Sequence, residues 1–130
     1  MKTVRLAGNR HATMADARAI LKKAHIEAGG PDKLRVRQGA EKAWLAVTTA
    51  ADAMSGGVGS ATGTVKVFER AWGAEGRAVA SDAEVALHAG CFYSDSAGCT
   101  PAYVREKIAR IGKLLSKPIR DAQIRSRVGR

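Results

Sequence analysis

The chain has 130 residues, with 22 Lys and Arg against 12 Asp and Glu, a formal net charge of +10, and a composition that is 45% hydrophobic but only 5% aromatic. That length suits a single domain, and the alanine-rich apolar fraction favours helix over strand. No apolar run reaches the roughly eighteen residues a membrane helix needs, and the N-terminus lacks the continuous apolar segment of a signal peptide; both point to a cytoplasmic protein with no membrane association.

The charge is unevenly placed. Residues 1–10 hold Lys2, Arg5 and Arg10 and no acid, and residues 105–130 hold nine basic side chains against Glu106 and Asp121. The stretch between them balances ten bases with ten acids. This divides the chain into a basic N-terminal segment (1–12), a helical body (13–118) whose charges balance as far as residue 104, and a basic C-terminal tail (119–130). Such ends suit polyanions or acidic partners, but they do not define a basic groove.

A first helix is expected to open at Thr13, with Asp16 three residues later as a capping box. Met14, Ala17, Leu21, Ala24 and Ala28 then follow at alternating steps of three and four. Gly29, Gly30 and Pro31 stop it. The second helix runs from about Asp32 to Met54, with Ala40, Ala43, Trp44, Val47, Ala51 and Met54 on one stripe and Gly39 as a weak point. The stretch Ser55–Gly63, SGGVGSATG, reads as a linker. It lacks the Gly-Lys-Ser/Thr sequence and the preceding strand that a phosphate loop requires.

The third helix begins near Thr64 and carries Val65, Phe68, Ala71 and Trp72. It breaks near Gly73 and Gly76 and restarts at Ser81, where SDAE forms a second capping-box pattern. The restarted helix stacks Leu87 on Cys91, with Val85, His88 and Phe92 in the adjacent row. After the polar loop SDSAGC, Thr100 caps and Pro101 opens the last helix. Its buried seam is Val104, Ile108, Ile111 and Leu115. Beyond Pro118 the periodicity is weak, and the tail is expected to fray. Cys91 and Cys99 read as ordinary thiols in a reducing compartment, with a local disulfide as the alternative.

Helices of this length joined by short turns form an all-α, antiparallel up-and-down bundle of four to five helices. The alanine-lined seams bury modest area, so homodimerisation is expected. Trp44 and Trp72 read as core or interface anchors, and His88 as a core histidine bonded to a neighbouring helix. Glu41 and Lys42 diverge by about 100° on a helix and should not face one pocket together. His88 and Cys91 could supply two metal ligands, with His11, His25 or Cys99 as additions, but no second ligand pair is visible and neither metal nor cofactor is expected.

The segments GAEKAWLAV, ALHAGCFY and VREKIARIGKLL resemble those of the HEPN superfamily of small helical bundles, most closely its PaREP branch. Glu41, Lys42, Ala43 and Trp44 match one motif of that branch, and Leu87, His88, Phe92 and Tyr93 match the other. Ser94 and Cys91 depart from it where an acid and an asparagine commonly stand. The resemblance covers about Ala15 to Ser116. It implies a dimeric HEPN-like bundle that binds RNA, a nucleotide or a partner protein such as a nucleotidyltransferase, with a ligand cleft at His88, Tyr93, Trp44 and Lys42.

Catalytic members of the superfamily are metal-independent ribonucleases with an arginine and a histidine close together on one helix. In such a pair the guanidinium holds phosphate while the imidazole assists attack by the 2′-hydroxyl. Arg18 and His25 have the spacing but lie on the first helix, and His88 has no arginine upstream nearer than Arg77. A non-catalytic binding module is therefore the leading expectation, and a toxin-like ribonuclease using Arg18, His25 or His88 is the alternative. Arg105, Lys107, Arg110, Lys113, Lys117 and Arg120 lie off the apolar seam of the last helix. They are either a solvated face or a nucleic-acid contact, and a contact would make binding steeply salt-dependent.

Overall fold

The computed structural model describes residues 11–56 and 63–129. Residues 1–10 of the basic N-terminal segment and most of the glycine-rich linker therefore lie outside the described residues. The elements are α1 (Met14–Glu27), α2 (Lys33–Ser55), α3 (Thr64–Asp82), a π-helix (Ala83–Tyr93), α4 (Pro101–Leu115) and α5 (Ala122–Val128). Among the described residues, no helix is long and apolar enough to cross a membrane.

The start signals act as their chemistry dictates. Thr13 and Asp16 exchange side-chain-to-backbone hydrogen bonds of 2.9 and 3.1 Å, a complete capping box for α1. The Asp32 carboxylate accepts from Leu34 N at 2.9 Å to open α2, and the Thr100 hydroxyl accepts from Tyr103 N at 3.2 Å ahead of Pro101. Each satisfies a backbone donor that a helix start leaves without a partner.

Cross-helix contacts give the topology. Lys42 on α2 pairs with Glu27 near the end of α1, while Ala53 near the end of α2 lies by Met14 at the start of α1. Glu41 and Arg37 on α2 reach His88 and Phe92 on the π-helix. Asp82 and Glu75 on α3 meet Lys107 on α4 and Lys117 just past its end, and Arg105 and Gly112 on α4 lie against His25 and Leu21 on α1. In each pair one number rises as the other falls, so α1, α2, α3 with its π-helical extension, and α4 form an antiparallel up-and-down bundle. The core runs through Ala17, Ala24, Trp44, Val47, Met54, Phe68, Trp72, Leu87, Val104, Ile111 and Leu115. Trp72 lies in it and satisfies its indole N–H by donating to Lys117 O at 3.2 Å.

Small residues set the closest approach. Gly39 is buried where α2 crosses the end of α1: a Cβ there would lie 2.8 Å from Ala28 N and 3.0 Å from Ala24 O. It is the point at which the two backbones touch, not a weakness within α2.

Three further expectations change. The third helix does not restart at Ser81. It kinks at Gly73 (φ 70°, ψ −149°) and continues unbroken into the π-helix. Asp82 of the supposed capping box instead pairs with Lys107 at 2.8 Å and lies 3.9 Å from Arg110. The π-helix buries Ala83, Leu87 and Cys91, a strict repeat of four, and turns Val85 out to 64% exposure. A repeat of four exceeds the α-helical 3.6, so wider i→i+5 winding keeps that stripe in line with the core.

Cys91 and Cys99 are joined in a disulfide that ties the π-helix to the residue before the α4 cap, in place of two ordinary thiols. The supposed tail also folds. Asp121 caps α5 by accepting from Ile124 N at 2.9 Å, Ile119 and Ile124 are buried, and Arg127 donates to Met54 O at 2.6 Å. Two buried isoleucines and capping by one aspartate outweigh the segment's weak periodicity.

Candidate functional site

Two segments that lie far apart in sequence meet between α2 and the π-helix. Glu41 and Trp44 stand three positions apart on α2 and share a face. Opposite them, His88 Nδ1 lies 2.6 Å from Glu41 Oε1, and the imidazole sits 5.6 Å from the Trp44 ring, centroid to centroid. A carboxylate can only accept, so Nδ1 carries a proton, and in the neutral ring Nε2 is left as an acceptor. No hydrogen bond to Nε2 is made among the described residues.

Aromatic edges complete the wall. Tyr93 meets His88 edge-on at 5.0 Å and Phe92 at 5.1 Å. Arg37, one turn before Glu41, donates to Phe92 O at 3.1 and 2.6 Å and lies 3.8 Å from Asp95. It thereby pins the end of the π-helix that carries both rings. Beside the pair, an open depression of about 380 Å³ is bordered by Gln38, Glu41, Lys42, Leu45 and Phe92. π-helical turns occur often at functional sites, because they present side chains at angles an α-helix cannot.

His88 is thus bonded to a neighbouring helix as expected, but it is half-exposed at the rim instead of buried in the core. Trp44 is core. Glu41 and Lys42, expected to face different ways, both border the depression. It is wide enough to span their divergence, and their charged ends part company: Glu41 turns to His88 and Lys42 to Glu27. Lys42 therefore leaves the cluster formed by His88, Tyr93 and Trp44. Arg37 and Glu41 were missed as positioning residues. Their spacing of four is ordinary on a helix surface, and only the partner across the interface gives it meaning.

Arg18 and His25 do share one face, but they border a different groove, between α1 and α4. The guanidinium that reaches the π-helix end near His88 is that of Arg37, on another helix. On the basic face, Lys107 pairs with Asp82 and lies 5.1 Å from the Tyr103 ring centre, and Lys117 pairs with Glu75 at 2.6 Å. Arg105 donates to His25 O at 3.0 Å, and the Arg120 guanidinium packs over Gly73. Lys113 and Arg110 remain exposed, with Arg110 near Asp82. Much of that positive charge is engaged within the bundle.

Among the described residues, no group of three or more His, Cys, Asp or Glu side chains gathers in a metal-holding arrangement. The disulfide removes Cys91 and Cys99 as thiolate ligands. What the α2–π-helix face offers is one oriented imidazole, a carboxylate behind it and aromatic surface around it. These suit a ligand with a flat ring and a hydrogen-bond donor. Comparison with protein-family models, curated proteins and solved structures finds no match to this chain.

Proposed function

We propose that the protein is a non-catalytic HEPN-like binding module that takes a nucleotide or an unstacked RNA base on the α2–π-helix face and works as a homodimer. The observation that carries this reading is the meeting of Glu41 and Trp44 with His88 and Tyr93. The two motifs on which the resemblance rests thus converge on one half-exposed cluster. His88 Nε2 accepts from the ligand, Tyr93 and Phe92 supply apolar ring surface, and Glu41 holds the imidazole in the tautomer that does this. In a cytoplasmic setting the burial of Cys91 shields the disulfide from exchange.

Titrating the protein with nucleoside monophosphates and a short single-stranded RNA, following Trp44 fluorescence, tests the reading. Saturable binding that His88→Ala abolishes is the expected result. No binding by either ligand class, or binding that His88→Ala leaves intact, overturns it. The Glu41-oriented imidazole is also what a general base requires, so the same RNA is assayed for cleavage. Cleavage lost in His88→Ala would replace the module with the ribonuclease reading, and cleavage lost only in His25→Ala would move the chemistry to α1.

A further inference from the structure

The α1–α4 side of the bundle carries a second surface that the proposed function does not use. Leu21 and Ile26 of α1 and Ile108 and Gly112 of α4 floor an open groove of about 420 Å³, with Arg18, Lys22 and His25 along one rim. The rim residues recur at four and three, so all three lie along the same edge of α1. No acidic side chain lines the groove. Ile26 is 61% exposed and extends the apolar floor to the mouth of the groove.

Gly112 makes the groove. A Cβ built there meets only Leu21 Cδ2, at 3.5 Å, so nothing in the packing requires glycine at this position. Its effect is to leave a notch between Leu21 and Ile108. The lining spans residues 18 to 26 of α1, about 12 Å of helix. That is the length over which a docked helix sets down two or three apolar side chains.

From this geometry we infer that the groove docks an amphipathic helix of a partner protein, one whose apolar stripe is flanked by acidic residues. The apolar floor selects a side-chain stripe over a nucleic-acid backbone, which would leave Leu21, Ile26 and Ile108 against charged phosphates. The cationic rim selects acidic flanks. Charge also argues against a second copy as the occupant of this groove, since a chain of net charge +10 brings like charge to a cationic rim; the homodimer contact of the proposed function is placed on another face. Docking of this kind leaves the α2–π-helix face free, so the partner and the nucleotide or RNA ligand can be held together.

The test uses the full-length protein and three fluorescein-labelled probes. The first is a helical peptide of about fifteen residues with Leu at i, i+3, i+4 and i+7 and Glu on either side. The second has Lys in place of every Glu, and the third is an oligouridylate of similar length. By anisotropy, the acidic peptide should bind saturably and the lysine peptide should not. Gly112→Leu, which fills the notch, should abolish binding. Arg18→Glu combined with Lys22→Glu should weaken it roughly tenfold, as two rim ion pairs allow. Circular dichroism checks the fold of each variant, and if Gly112→Leu does not fold, Ile26→Lys at an exposed position takes its place. The inference is overturned if both peptides bind alike, if neither binds, or if the acidic peptide binds the groove-filled variant as it does the wild type. It is equally overturned if the oligouridylate, and not the peptide, is the probe whose binding the charge reversals weaken. Nucleotide binding at His88 is scored separately in the same variants, so loss of one activity does not stand for loss of the other.

Discussion

His88 Nδ1 and Glu41 Oε1 stand 2.6 Å apart although 47 positions separate the residues in the chain. The contact joins the π-helix to α2 and fixes the imidazole on Trp44. In its neutral form the wild-type ring should therefore appear by 15N NMR as the Nδ1-protonated tautomer, and Glu41→Ala should release it to a mixture. Removing this charge-assisted bond from a half-exposed site should reduce stability by about 1 kcal/mol in urea unfolding. An unchanged tautomer in Glu41→Ala would show that the carboxylate does not orient the ring.

Two helical glycines should respond in opposite directions to alanine. At Gly39 the new Cβ meets backbone of α1, with Ala28 N at 2.8 Å and Ala24 O at 3.0 Å, and neither atom can swing aside. A loss of about 1–3 kcal/mol is expected as α1 and α2 are forced apart. At Gly112 the Cβ meets one flexible leucine methyl at ordinary distance, so removing backbone freedom from the unfolded chain should raise stability by about 0.5–1 kcal/mol. Thermal or urea melts of the two variants decide the sign of each.

The Cys91–Cys99 bridge closes a loop of sequence separation 8. Cross-linking so short a loop restricts the unfolded chain by about 2–3 kcal/mol in the chain-entropy account. Cys99→Ser, or wild type held in reductant, should lose that amount in urea unfolding, and thiol titration before reduction should find no free cysteine. Two titratable thiols in the non-reduced native protein would refute the bridge.

Acid should loosen the α3–α4–α5 end first. Hydrogen bonding from Ile124 N, helped by Arg70, holds the Asp121 carboxyl below the usual carboxylate range, and hydrogen bonding from Lys117 does the same for Glu75. Depressed values mean that the unfolded chain binds more protons than the folded one. Stability from both groups is present above the usual range of about pH 4 and is lost as pH falls toward the depressed folded values. Acid unfolding followed by circular dichroism should therefore flatten on its low-pH limb in Asp121→Asn with Glu75→Gln. A limb as steep as wild type would assign acid sensitivity elsewhere.

The C-terminal helix should prove part of the fold. Ile124 is 1% exposed, and its truncation to alanine should cost about 2–4 kcal/mol, the range for a buried aliphatic side chain. A change within a few tenths of a kcal/mol would return residues 119–130 to the status of a tail.

Much of the bundle was legible because local rules act within a few residues. Thr13 with Asp16, Asp32, and Thr100 with Pro101 mark three helix starts through the backbone donors they satisfy or leave unneeded, and the stripe from Val104 to Leu115 repeats at the helical period. The Ser81–Glu84 pattern failed for a related reason. A capping box works only where a helix begins, and here the preceding turn was already helical, so Asp82 was free to pair with Lys107.

Composition and periodicity were enough for an all-helical chain with a charge-balanced body, because helix propensity, capping and apolar spacing are properties of neighbouring residues. Everything that depends on which surfaces meet came from the tertiary structure. The π-winding that aligns Ala83, Leu87 and Cys91, the seating of α5, the pairing of Glu41 with His88 and the grouping of Arg18, Lys22 and His25 beside an apolar groove all belong to this class. A side chain's partner across an interface is set by the relative placement of whole helices, and no spacing along one helix encodes it.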